Sequence, residues 1–96
     1  MASNREEYIV KMEAKMKGLN ARIDLMEAKA QDKKADLKMK YNSYMDDLKK
    51  RREKAQAKLK KVRESTESAW EELKSGVNSA FDELSDSIDN VKKDLS

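Results

Sequence analysis

"KKVRESTESAWEEL", residues 60–73, decides how this chain folds. On its left the chain is basic and on its right acidic, and apolar residues recur at helical spacing on both sides. Between them stand Ser65, Thr66 and Ser68, whose hydroxyls compete for nearby backbone groups. Such residues are poor inside a helix and good at its start. Ser68 with Glu71 has the spacing of a capping box. A helix that ends here lets the chain turn back on itself; serines that merely face solvent let one helix run on. Both fit the sequence. Gly76-Val77-Asn78-Ser79 is a weaker second candidate for a break.

Downstream, Ser68-Ala69-Trp70-Glu71-Glu72-Leu73 returns eleven residues later as Ser79-Ala80-Phe81-Asp82-Glu83-Leu84, and Val77 returns as Ile88. The apolar positions Leu59, Val62, Thr66, Trp70, Leu73, Val77, Phe81, Leu84, Ile88, Val91 and Leu95 follow an eleven-residue rhythm. Upstream, Ser3 and Glu6 form a first capping-box pattern. After it Ile9, Met12, Met16, Leu19, Ile23, Met26 and Ala30 alternate three and four apart, the seam of a left-handed coiled coil. The stripe thins over "AQDKKAD" (30–36), resumes with Leu37, Tyr41, Tyr44 or Met45, and Leu48, and passes a second polar gap before Ala55, Leu59 and Val62.

Seven-residue and eleven-residue repeats drift in opposite senses around a straight helix. Together they predict long helices with little net winding, roughly 135 Å if continuous at 1.5 Å per residue. The stripe is narrow, close to one residue per turn, which favours two helices meeting along a seam. The expected fold is therefore all-α and elongated, an antiparallel coiled coil or helical hairpin. A three-helix bundle with turns near residues 32 and 65 is the alternative. Residues 1–64 read as one long heptad-type helix and 65–96 as an acidic helix with eleven-residue repeats, within a single domain.

Composition supports helices. There is no proline, glycine occurs only at Gly18 and Gly76, and 43% of residues are charged. Leu, Ile, Val and Phe make up only 16 of 96 residues, below the roughly 20% of a chain that builds its own core. Burial against further copies, a homo-oligomer, is the expected remedy. No apolar run is long enough to span a bilayer, and the amino-terminal residues lack a signal-peptide pattern, so a cytoplasmic location is expected.

Charge is strongly polarised. Residues 1–32 are neutral, 33–63 carry +9 and 64–96 carry −6. The basic segment is expected to lie antiparallel beside the acidic one, with charge choosing the arrangement and the apolar seam supplying the stability.

Chemistry has little to work with. Cysteine and histidine are absent, so no thiolate or imidazole is present to act as nucleophile, base or metal ligand. Asp46/Asp47, Glu71/Glu72 and Asp82/Glu83 are adjacent on a helix and so point about 100° apart, which suits neither an acid/base pair nor a calcium loop. No catalytic, cofactor or metal residue is assigned, and no small-molecule substrate is expected. The basic run 49–63 suggests phosphate contacts, but its charges surround the helix and have an acidic counterpart in the same chain, so nucleic acid is the weaker reading. Trp70 and Phe81 amid serines suggest a lipid-sensing face, opposed by the acidity of that segment towards anionic lipids.

The segments "REEYIVKMEAKMKGLNARIDLMEAKA" (5–30), "AKLKKVRES" (57–65) and "SAWEELKSGVNSAF" (68–81) resemble a family of short bacterial coiled-coil proteins often labelled as stress-response proteins. The resemblance implies a bacterial helical protein in a stress context and carries no site residues. By periodicity alone the last third is similar to exchangeable apolipoproteins and late-embryogenesis-abundant proteins. The expected function is non-enzymatic, a self-associating structural, scaffolding or stress-protective protein. A peripheral lipid binder and a conditionally folded protectant are the alternatives. The seam residues expected to matter are Ile9, Met12, Met16, Leu19, Ile23, Met26, Leu37, Leu48, Leu59, Val62, Trp70, Leu73, Val77, Phe81, Leu84, Ile88 and Leu95.

Overall fold

The computed structural model describes residues 3–95, the side chain of Leu95 excepted. Three helices occupy almost all of it: α1 (Asn4–Gln31), α2 (Ala35–Glu64) and α3 (Trp70–Leu95). They run up, down and up in a body of 51 × 20 × 18 Å. The chain is thus all-α and antiparallel, in the three-helix form. The continuous helix expected over 1–64 is divided, and the 135 Å rod with it.

Each boundary has a local cause. At the start of α1 the Ser3 hydroxyl accepts from the backbone N–H of Glu6 at 3.1 Å, one half of the capping box read from the sequence. α1 ends at Asp32, whose N–H turns back to the carbonyls of Ala30 and Lys29. Neither glycine nor proline marks this turn. What marks it is the lack of anything to bury: between Ala30 and Tyr41 no residue is buried. A helix continued straight through Gln31-Asp32-Lys33-Lys34 would have no apolar residue there to bury against the bundle. Charges assist, since Lys29 lies in the last turn of α1 and Asp36 in the first turn of α2, each at the pole of the helix dipole that favours it.

The second boundary falls in the serine-rich stretch, but not by the expected cap. Ser65 is extended, and both its N–H and its hydroxyl bond to the Val62 carbonyl, closing α2. The carbonyl of Thr66 then accepts from Ala69 and Trp70 at 3.1 and 3.3 Å, opening α3. The Ser68 hydroxyl pairs with that of Thr66. The turn is therefore nucleated two residues before the Ser68–Glu71 pattern.

The seam is buried inside one chain. Met12, Met16, Leu19, Ile23 and Met26 from α1, Leu48, Ala55, Leu59 and Val62 from α2, and Trp70, Val77, Phe81, Leu84 and Ile88 from α3 form one core. Ile23, Leu48, Leu84, Ile88, Val62 and Val77 are fully buried. Some expected positions shift. Tyr8 takes the buried place expected of Ile9, and of the pair left open, Tyr44 or Met45, it is Met45 that is buried, while Ile9, Tyr44 and Leu73 pack half-buried at the edge. Leu37 is 43% exposed: it lies a turn nearer the pole than Tyr41, which already meets Asp94 where α3 is ending. Leu95, expected to close the seam, lies outside the described side chains.

Candidate interaction surface

The cross-helix register follows from a few polar contacts. At one pole the first turns of α1 grip the α2–α3 connection. The Arg5 guanidinium donates to the Ser65 carbonyl and its Nε lies 3.7 Å from Glu67. One turn on, the Tyr8 hydroxyl donates to Asn78 Oδ1 at 2.7 Å, and its ring centroid lies 5.6 Å from that of Trp70. Lys74 Nζ sits over both rings, 5.4 and 5.7 Å from their centroids. Burial pushes the Tyr8 phenol above its ordinary value of 10.0, because the phenolate loses its hydration there. At the other pole the Tyr41 hydroxyl donates to the Asp94 carbonyl at 2.7 Å, satisfying a carbonyl in the last turn of α3.

The polarised thirds meet as the sequence suggested, with one addition. Basic α2 lies antiparallel to acidic α3 within the same chain, and Lys54 pairs with Glu83 at 3.8 Å. Lys58 lies along α3 as well, its Nζ 3.6 Å from where a Cβ on Gly76 would stand. Two other cations of α2 turn to α1: Lys49 to Glu27 at 2.8 Å and Arg63 to Glu13 at 3.2 Å. Arg22 of α1 pairs with Asp89 of α3. The basic helix thus sits between two acceptors. Arg51 pairs along its own helix with Asp47, whose hydrogen bond and charge hold the guanidinium above its usual range.

Other surface features are shallow. A groove of about 370 Å³ between α1 and α3 is lined by Lys15, Gly18, Leu19, Arg22, Phe81, Asp82 and Ser85. The wider groove between α1 and α2 contains Asn20, Gln56 and Lys60, and Asn20 Oδ1 is buried there without a hydrogen-bond partner. The three adjacent carboxylate pairs are all exposed. Among the described residues no cluster of three or more acidic, histidine or cysteine side chains is placed to hold a metal ion, and no helix is long and apolar enough to cross a membrane.

Trp70 and Phe81, the two largest anchors expected on the seam, are 5% and 2% exposed. They face the core rather than a partner. Among the described residues the large apolar side chains that face solvent are Val10, Leu25, Leu37 and Met39. Of these, Leu37 is expected on the seam from the dominant stripe, whereas Val10, Leu25 and Met39 lie off it. A second periodic signal was present: Val10, Ala14, Ala21, Leu25 and Ala28 lie four, seven, four and three apart on the reverse side of α1.

The class these features define is a small antiparallel three-helix bundle whose apolar seam closes on itself. Comparison of the chain with protein-family models, with curated proteins and with solved structures finds no match.

Proposed function

We propose that this chain is a non-catalytic structural module that acts through contacts of its outer helical surface, self-association foremost, in a scaffolding or protective role. The observation that carries the reading is the division of its apolar residues. The seam is occupied by the chain's own core, yet α1 keeps Val10 and Leu25 in solvent at 66% and 58% exposure. Isolated exposed apolar residues need no explanation, but a periodic row along one helix invites a partner. The non-enzymatic reading rests on residue chemistry. The sequence holds no histidine or cysteine and its three adjacent carboxylate pairs are exposed, so no imidazole, thiolate or enclosed carboxylate pair among the described residues supports proton transfer.

Sedimentation equilibrium of the full chain across a wide concentration range tests this reading. Reversible association beyond the 11.1 kDa monomer supports it, and a monomer at every concentration overturns it.

A second reading, peripheral lipid binding, draws on α3. This helix is sharply two-faced, with Trp70, Phe81, Leu84 and Ile88 on one side. Those residues reach a bilayer only if α3 leaves the bundle, parting the Tyr8–Asn78 and Tyr41–Asp94 contacts. Flotation with neutral and with anionic vesicles discriminates: absence from both lipid fractions removes this reading.

A further inference from the structure

We infer that the outer face of α1 is a docking surface for α1 of a second copy of this chain, the two helices running parallel and in register. The inference rests on the self-association reading above and names its surface and geometry.

α1 is apolar on two opposite sides. At about 100° per residue, Val10, Ala14, Ala21, Leu25 and Ala28 fall on one line, facing away from the buried row of Met12, Met16, Leu19, Ile23 and Met26. All five are exposed. The two stripes explain why α1 is hardly amphipathic as a helix whereas α3, with one stripe, is strongly so. Alanines at 14, 21 and 28 form a column at seven-residue spacing, which lets two helix axes approach closely. Val10 and Leu25 flank it with larger apolar surface.

Charge selects the occupant and its direction. The shoulder of the outer stripe that turns towards α2 carries Glu6, Glu13 and Asp24. The shoulder that turns towards α3 carries Lys11, Lys15, Arg22 and Lys29. Glu13 and Arg22 are already engaged within the bundle, with Arg63 and Asp89. Glu6, Lys11, Asp24 and Lys29 are exposed and make no ion pair within the described bundle. A parallel pair of helices sets the left shoulder of one against the right shoulder of the other, a residue meeting the one five further on in its partner. On straight helices Glu6 and Asp24 lie on one line five turns apart, and each then faces the cation five further on in the second copy, Lys11 and Lys29, twice by symmetry. An antiparallel pair sets like shoulders together and brings Lys11 against Lys29. Lys17 is the one cation on the acidic shoulder; its counterpart in the parallel register, Arg22, is turned away to Asp89. A different protein has no need to match this pattern, whereas a second copy matches it by construction.

The test uses the full chain and three variants. Sedimentation equilibrium up to about 1 mM is expected to show a reversible monomer–dimer equilibrium. Leu25→Asp is expected to weaken it at least tenfold while leaving the helical circular dichroism and the melting temperature of the dilute chain unchanged. Since the chain has no cysteine, A14C and A28C supply single thiols. Oxidising an equal mixture of the two is expected to give 14–14 and 28–28 disulfides; a predominance of 14–28 disulfides overturns the parallel arrangement. A dimer that L25D does not weaken overturns this surface and leaves self-association standing. A monomer at every concentration overturns both.

Discussion

Tyr8 and Asn78, 70 residues apart in sequence, are joined by a 2.7 Å hydrogen bond from phenol to side-chain carbonyl, tying the first turns of α1 to α3. The same hydroxyl lies 3.3 Å from the Lys74 carbonyl, so two acceptors depend on one donor.

Replacing Tyr8 by Phe removes the donor and keeps the ring against Trp70. The expected cost is about 1 kcal/mol, the usual net worth of one hydrogen bond, read as a lower denaturation midpoint with unchanged slope. The pH dependence has a definite sign. Burial raises the phenol pKa in the folded state above 10.0, so the unfolded chain releases this proton first. The contribution is complete below pH 10 and is lost as pH rises through the folded value. Y8F should lack that component, and the difference between the two stability–pH curves measures it.

Trp70→Ala empties the core beneath the α2–α3 connection, where the ring is 5% exposed. Truncations of this kind cost about 3–5 kcal/mol, a large share of what a small domain has. Thermal melts followed by circular dichroism should show a large drop in melting temperature at low protein concentration. A fall seen only in oligomer mass, with the melt unchanged, would mean that Trp70 serves an interface rather than the core.

Gly18→Ala should stabilise the bundle by about 1 kcal/mol, the difference in helix propensity between the two residues. Nothing lies within 4 Å of a Cβ placed there, so propensity acts alone. Gly76→Ala is expected to change stability in the same direction, because its Cβ meets only the end of a flexible lysine at 3.6 Å. Urea titrations of both variants check this.

Lys54 and Glu83, the direct ion pair between the basic and acidic helices, are both more than half exposed. Their coupling in a double-mutant cycle should therefore be a few tenths of a kcal/mol and shrink in salt. Reversing both, K54E with E83K, should recover most of what either reversal loses. A coupling above about 1 kcal/mol would show that charge contributes more than orientation.

How far the fold was readable follows from these residues. The face of α1 was legible because Met12 to Met26 keep strict three-and-four spacing, and the charge thirds pointed to α2 beside α3. The first turn was legible only as the thinning of the stripe over 30–36, which placed it near residue 32 in the three-helix alternative; Asp32-Lys33-Lys34 contains neither glycine nor proline to mark it and ends α1 for want of burial. The three-helix form stood only as the alternative because the stripe reads as narrow, and Ala30, Ala55 and Ala80 add little apolar width to it. All three are at most 3% exposed, and small residues are what let a third helix approach. Tyr8 could not be preferred to Ile9 from spacing alone; its claim depends on Trp70 and Asn78, brought near by the fold.

An odd number of antiparallel helices has a mechanical result. α1 starts at one pole and α3 finishes at the other, so anything tethered to the two ends is held apart by most of the 51 Å body. A hairpin would bring such attachments together. Paired in parallel through α1, two copies would act as a doubled strut, with both leading ends at one pole and both trailing ends at the other.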